Sequence, residues 1–145
     1  MSSGDVVMAE RTRIVDPAAV EERVPAHLSA QRWVGAPADV RRVNEALGTD
    51  AMHINAVYLE AGVRSRPHTH SFDQILFYTS GTGVIAVDGG EDRRVETGDF
   101  VLLPAGVPHM HGATEDGPAC HISLMRDVDM DFDCPIPDSW TRWRT

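Results

Sequence analysis

Four side chains of this 145-residue chain have the types and spacing to share one metal ion: His68, His70, Gln74 and His109. His68 and His70 flank Thr69, directly after the turn-forming run from Gly62 to Pro67. On an extended segment, residues i and i+2 face the same side, about 6.5–7 Å apart along the chain. Two imidazoles so placed can converge on one cation, although a polar strand face has the same pattern. Gln74 opens the next apolar run, and His109 opens another after Pro104-Ala105-Gly106-Val107-Pro108. Three imidazoles and one amide oxygen suit a single divalent transition metal (Mn, Fe, Co, Ni or Zn) and leave coordination positions open to water or substrate.

Two further histidines follow the same logic. His111 is i+2 from His109, so both point into one interior, and His121 shares a strand face with Ser123 and Met125. Beside a metal-held substrate, His111 and His121 are candidate general bases. The structural alternative is that one of them only orients a ligand through a hydrogen bond. Leu76 and Tyr78 share the Gln74 face, which makes Leu76 a candidate apolar wall and Tyr78 a core residue.

These residues need a scaffold of short strands. From Ala51 onward, apolar runs alternate with turn residues: AMHINAVYLE to Ala61-Gly62, QILFYTS to Gly81, GVIAVD to Gly89-Gly90, FVLLP to Ala105-Gly106, then ACHISLM. Such spacing predicts an all-β sandwich or barrel over 51–145. Residues 1–50 form an N-terminal extension: a loose leader over Met1–Glu10, a short helix capped by Asp16-Pro17 and running through AAVEERV, then breaks at Pro25 and Gly35-Ala36-Pro37. The tail carries Asp127, Asp129, Asp131 and Asp133, without the spacing or closing Glu of an EF-hand, and is expected to be a solvated edge. Trp140 and Trp143 are expected to pin the C-terminus to the barrel or across an interface.

Composition sets outer limits. A formal net charge of −9 argues against nucleic acid and anionic membrane surfaces as partners. The two cysteines, Cys120 and Cys134, form no CxxC pattern and read as free thiols. No apolar run approaches a membrane span, and no basic segment followed by an apolar one opens the chain; the expected location is the cytoplasm. No serine has the strand–turn–helix setting of a nucleophile elbow, and no glycine loop suits a phosphate.

At two places the spacing becomes specific to a family. Gly62-x5-His68-x-His70-x3-Gln74-x6-Gly81 resembles the first cupin motif, where Glu is usual at the Gln74 position. Gly98-x5-Pro104-x-Gly106-x2-His109 resembles the second, which usually ends in Asn where this chain has Ala113. The resemblance runs from about Ala51 to Arg126 and implies a single jelly-roll β-barrel, with His109 as a ligand by motif position, and often a homodimer. HTHSFDQ, PAGVPHMHGAT and ACHISL further resemble a bacterial group that includes the carboxymuconolactone decarboxylase-associated cupins and the manganese-dependent hydroxynitrile lyases. That likeness implies Gln at the ligand position, extra histidines at His111 and His121, Asn55 and Val57 in the substrate pocket with Leu76 and Met125, and Mn or Fe as the favoured metal.

Gln74 carries no charge, so a divalent ion on this donor set keeps its full positive charge and polarises a bound oxygen more strongly than a Glu-ligated ion would. The resulting expectation is a small-molecule enzyme using the metal as Lewis acid with a histidine base, as in cyanohydrin cleavage or an isomerisation. A dioxygenase of a phenol or β-diketone is the second reading, and a non-enzymatic small-ligand binder the third.

Overall fold

The computed structural model describes residues 12–144. The leader expected over Met1–Glu10 lies outside the described residues. Ten strands form two five-stranded antiparallel sheets: β1 (Trp33–Val34), β2 (Asp39–Arg42), β3 (His53–Leu59), β4 (Arg64–Ser65), β5 (Gln74–Ser80), β6 (Gly83–Val87), β7 (Arg93–Val95), β8 (Phe100–Leu103), β9 (His109–Ala113) and β10 (Ala119–Met125). The strand order is β1-β4-β9-β6-β7 in one sheet and β2-β3-β10-β5-β8 in the other. This is the all-β barrel expected from the alternating apolar runs.

The runs fold as strands because their inward residues are apolar and their ends are turn residues. On β5 the inward set Gln74, Leu76 and Tyr78 is buried, while Ile75 on the other face is 39% exposed. The inner faces meet in a core that includes Leu59, Leu76, Tyr78, Ile85 and Leu103. Tyr78 is fully buried and donates its hydroxyl to the Gly112 carbonyl at 2.8 Å, which ties β5 across the barrel to β9. Burial raises its pKa, so the phenol stays protonated, as a core role requires.

Close approach explains one glycine next to the site. A Cβ on Gly112 would lie 2.2 Å from the Val63 carbonyl oxygen and 2.6 Å from Arg64 Cα, so β9 reaches β4 only without a side chain there. Gly81 closes the β5–β6 hairpin at φ +69°, where its missing Cβ clears the Pro118 carbonyl.

The N-terminal segment differs from the expected short helix at 16–24. Asp16 does cap a turn through Ala18 N at 3.0 Å, but only a 3₁₀ turn forms, over Pro17–Ala19. Beyond it the chain is extended: Val24 N donates to the Val40 carbonyl at 3.0 Å, and Arg23 bridges Arg41. Pairing with β2, together with burial of Val20 against Val43 and Ala56, outweighs the modest helix propensity of AAVEERV. The first α-helix, α1 (Ala26–Arg32), starts at Pro25 instead, and a second, α2 (Val43–Leu47), ends at Gly48 in the left-handed region. Between them β1 and β2 extend one edge of each sheet.

At the other end Trp140 is buried against Ala86 and Met110, fixing the C-terminal 3₁₀ turn Asp138–Trp143 to the barrel. Both cysteines are free and buried. None of the helices among the described residues is long and apolar enough to cross a membrane.

Candidate metal centre

The two motif segments meet at one end of the barrel. His68 and His109 bridge each other through paired backbone bonds, His68 N to His109 O at 3.2 Å and His109 N to His68 O at 3.0 Å. That pairing brings the rings to 4.4 Å between centroids. His70 stands 4.9 Å from His68 and 5.2 Å from His109 on the same measure. The His68–His70 segment is extended but makes only isolated bridges; its second partner is Asp131, paired with Thr69. The acidic stretch is therefore the solvated edge expected, with Asp127, Asp129, Asp131 and Asp133 all exposed, and it also backs the motif. Phe132 stacks on His68 at 4.9 Å, and the Asp129 carboxylate accepts from Ser71 N and from the Ser71 hydroxyl.

Three rings are fixed in the same way. His68 Nδ1 lies 2.7 Å from the Arg66 carbonyl, His70 Nδ1 2.7 Å from the Asp129 carbonyl, and His109 Nδ1 3.1 Å from the Val107 carbonyl. A carbonyl only accepts, so each Nδ1 carries the proton and each neutral ring presents an Nε2 lone pair. Burial lowers all three pKa values, His68 furthest, with help from His109 and His70, and His109 to about 4. The rings are neutral near pH 7, as metal ligation requires.

Three buried histidines could hold a cation here. His109 Nε2 is buried with no hydrogen-bond partner, an arrangement that costs energy unless something fills it. One ligand atom from each of His68, His109 and His111 lies within 4.8 Å of the others; His70, an expected ligand, is not in this group, and His111, expected as a base, is. Gln74 donates its amide to Ser123 Oγ at 2.8 Å, which turns its Oε1 toward His70 Nε2 at 3.1 Å. Two lone-pair donors face each other there, a separation close to the ~3 Å expected between adjacent ligands on an ion bound at about 2.1 Å. With the amide turned over, Gln74 would instead donate to His70 and take up that lone pair.

His111 and His121 differ from the other three. His111 Nδ1 and both ring nitrogens of His121 are buried without partners. The His111 backbone N–H donates to Ser65 Oγ at 3.1 Å, which fixes its strand but not its ring. The two rings touch edge to face at 5.0 Å, and His121 packs on Tyr78 at 5.2 Å. Burial lowers the pKa of His111 strongly and that of His121 to about 3.

A cavity of about 50 Å³ opens beside these rings. At ~10–15 Å³ per water it has room for a handful of heavy atoms. His68, Gln74, His111 and His121 line it, with Asn55, Val57 and Met125 of the expected pocket. Leu76, expected as a wall, is not among the lining residues. It follows Gln74 on the same face, one step deeper, and is fully buried in the core. The sequence reading missed Arg32, Trp33, Val40, Met130 and Phe132, which also line the cavity. They come from the N-terminal segment and the tail, where only long-range pairing reveals them.

Comparison with known proteins agrees with this architecture. A family model described as a cupin domain matches residues 55–125. A cupin-like protein from Thermotoga maritima superposes with a TM-score of 0.66 at 28% identity, over 81% of this chain and 90% of that one. This chain is a cupin. Dimethylsulfoniopropionate lyase DddQ of Ruegeria pomeroyi is 32% identical to this cupin over 54% of this chain and 38% of the lyase. An uncharacterized protein of Streptomyces coelicolor is 36% identical over 45% of this chain and 62% of its own length. The match therefore spans less than two thirds of each of these relatives. A sugar phosphate isomerase from Silicibacter pomeroyi superposes with a TM-score of 0.64 at 25% identity, covering 80% of this chain and 76% of the isomerase.

Proposed function

We propose that this cupin is a metal-dependent enzyme acting on a small oxygenated molecule by acid–base chemistry. His68, His70, Gln74 and His109 hold one divalent metal, Mn or Fe being favoured, and Lewis-acid polarisation of a substrate oxygen is the chemistry such an ion supplies. His111 takes the substrate proton, and His121 behind it tunes or relays that proton. The observation that carries this reading is the split among the five buried rings. Three have Nδ1 committed to a backbone carbonyl and Nε2 left for a ligand role, that of His70 facing Gln74 Oε1 at 3.1 Å. His111 and His121 face the cavity with unpaired ring nitrogens. Breaking a C–C or C–heteroatom bond beside a carbonyl, or shifting a double bond, can use that combination. Cyanohydrin cleavage is one such reaction, and lyase and isomerase chemistry in the similar proteins is in keeping with it.

The close approach of His68, His109 and His111 supports a second reading, in which His111 is itself a ligand. His111 is then not free to act as the base, only His121 remains for that role, and a dioxygenase or a non-enzymatic binder accounts for the site better. Elemental analysis of His111→Ala decides. Metal content near the wild-type level with turnover lost supports the lyase-type enzyme. Metal loss, or unchanged turnover, supports the second reading.

The outward face of β5 and β8 carries Ile75, Phe100 at 70% and Leu102 at 59% exposure, with Phe77 stacked on Phe100 at 4.5 Å. We assign the homodimer contact to this face. Light scattering of Phe100→Asp should then report a monomer.

A further inference from the structure

The cavity holds a cation for which the metal reading has no use. Arg32, the last residue of α1, lines it together with His68 and His111. Among the described residues its guanidinium has neither an ion-pair nor a hydrogen-bond partner. Burial lowers its pKa, and the one charge that acts on it, another cation, Arg42, lowers it further. Among the described residues, no aspartate or glutamate lines the cavity, although the chain as a whole has a net charge of −9.

Its position is built rather than incidental. Arg66 N donates to the Arg32 carbonyl at 2.8 Å, two residues before His68, and Trp33 pairs with Ser65 in the next step of the β1–β4 ladder. The Arg66 side chain donates to the Gln31 carbonyl at 3.1 Å. The end of α1 is thus locked to the segment that presents His68. Trp33 meets the His111 ring edge to face at 5.5 Å, filling the space beside it. A half-buried guanidinium without a counter-charge is costly unless a bound anion supplies one.

We infer that Arg32 selects the substrate by pairing with the carboxylate of a small carboxylic acid. This rests on the enzyme reading above and names its substrate class. The planar fork of a guanidinium matches a carboxylate in a two-point contact, and the small cavity excludes a large organic acid. A neutral cyanohydrin would leave Arg32 uncompensated, so cyanohydrin cleavage would be a side activity of this pocket.

Isothermal titration calorimetry with propanoate and its neutral isostere propanamide tests this, on metal-free and on Mn-loaded protein. Wild-type protein should bind propanoate in both forms, at least about tenfold tighter than propanamide, as loss of a charge-assisted pair predicts. Arg32→Gln should lose that preference and leave propanamide binding unchanged, while Arg32→Lys should retain part of it. Equal affinity for the two probes, no propanoate binding at millimolar concentration, or full preference in Arg32→Gln would each overturn the inference. If Arg32→Gln fails to fold, the wild-type contrast and Arg32→Lys still decide. Failure to bind Mn would end the enzyme reading separately, because the contrast in metal-free protein does not depend on metal.

Discussion

Five buried histidines crowd one end of the barrel, yet two regions treat them differently. Along the loop segments at 66–70 and 107–109, each ring is pinned by a carbonyl two residues back or by Asp129 in the tail. On the β9–β10 wall, His111 and His121 have rings held by packing alone, against Trp33, Tyr78 and each other. A pinned ring has one tautomer and one direction, which suits a ligand. An unpinned ring in the same dry environment can change which nitrogen carries its proton, which suits proton transfer. On the proposed reading, the same residue type is sorted into two roles by where the backbone carbonyls fall.

The largest expected effect breaks this comparison directly. His109→Ala should abolish stoichiometric metal binding and all turnover. His111→Ala should keep the metal and lose about 10²–10⁴ in kcat, the usual contribution of a general base. Metal content by mass spectrometry and single-turnover rates check both. If the two variants behave alike, the division between pinned and unpinned rings has no functional meaning.

Acid should expose the cost of hiding these rings. In the metal-free protein burial holds His109 at about 4 and His121 at about 3, whereas unfolded histidines titrate near ~6.5. Between those values the unfolded chain binds more protons than the folded one, so stability rises with pH. It should be complete above about pH 6.5 and fall as pH drops toward 4 and then 3, by on the order of 1 kcal/mol per pH unit for each ring. Urea unfolding from pH 7.5 to 4.5 measures this, and His121→Gln should flatten the slope by one ring's share. A flat profile in wild-type protein would mean the rings are not buried as neutral groups.

Gln74→Glu sharpens the comparison from the ligand side. A carboxylate adds a negative charge to a neutral donor set, so metal should bind at least about tenfold tighter. Turnover should fall, because the ion polarises substrate less strongly. Competition with a chelator reads the first effect and steady-state kinetics the second; tighter metal with faster turnover would contradict the Lewis-acid role.

Much of this was legible in the sequence because it was local. The apolar runs with glycine ends gave β3, β5, β6, β8 and β10, and the spacing of the histidines marked a candidate metal centre, in which the ligand atoms that come within 4.8 Å of one another are those of His68, His109 and His111. What escaped depends on pairing across the chain. β1 and β4 have two residues each, too few for any periodicity, and they exist because Trp33 and Val34 meet Ser65 and Arg64. Val20 and Val24 in AAVEERV have a spacing that fits a helix turn equally well, and only their partners in β2 and α2 decide otherwise. Arg32 and Phe132 reach the cavity from stretches that showed no chemistry of their own, and Leu76 left it because depth along a strand cannot be read from alternation.

The smallest predicted effect falls on the link between the two regions. Ser123 on β10 receives the Gln74 amide proton and so decides which way the amide faces. Ser123→Ala removes that acceptor, and the freed amide can turn over and donate to His70 Nε2, taking the lone pair a metal would use. Stability should fall by about 1 kcal/mol, the worth of one buried hydrogen bond, while metal affinity drops roughly tenfold, as for other groups that orient ligands. Ser123→Thr keeps the hydroxyl and should restore most of the affinity. Urea denaturation of metal-free protein and a metal titration separate the two quantities. Lost stability with unchanged affinity would show that Gln74 is a packing residue, and the ligand set would contract to histidines.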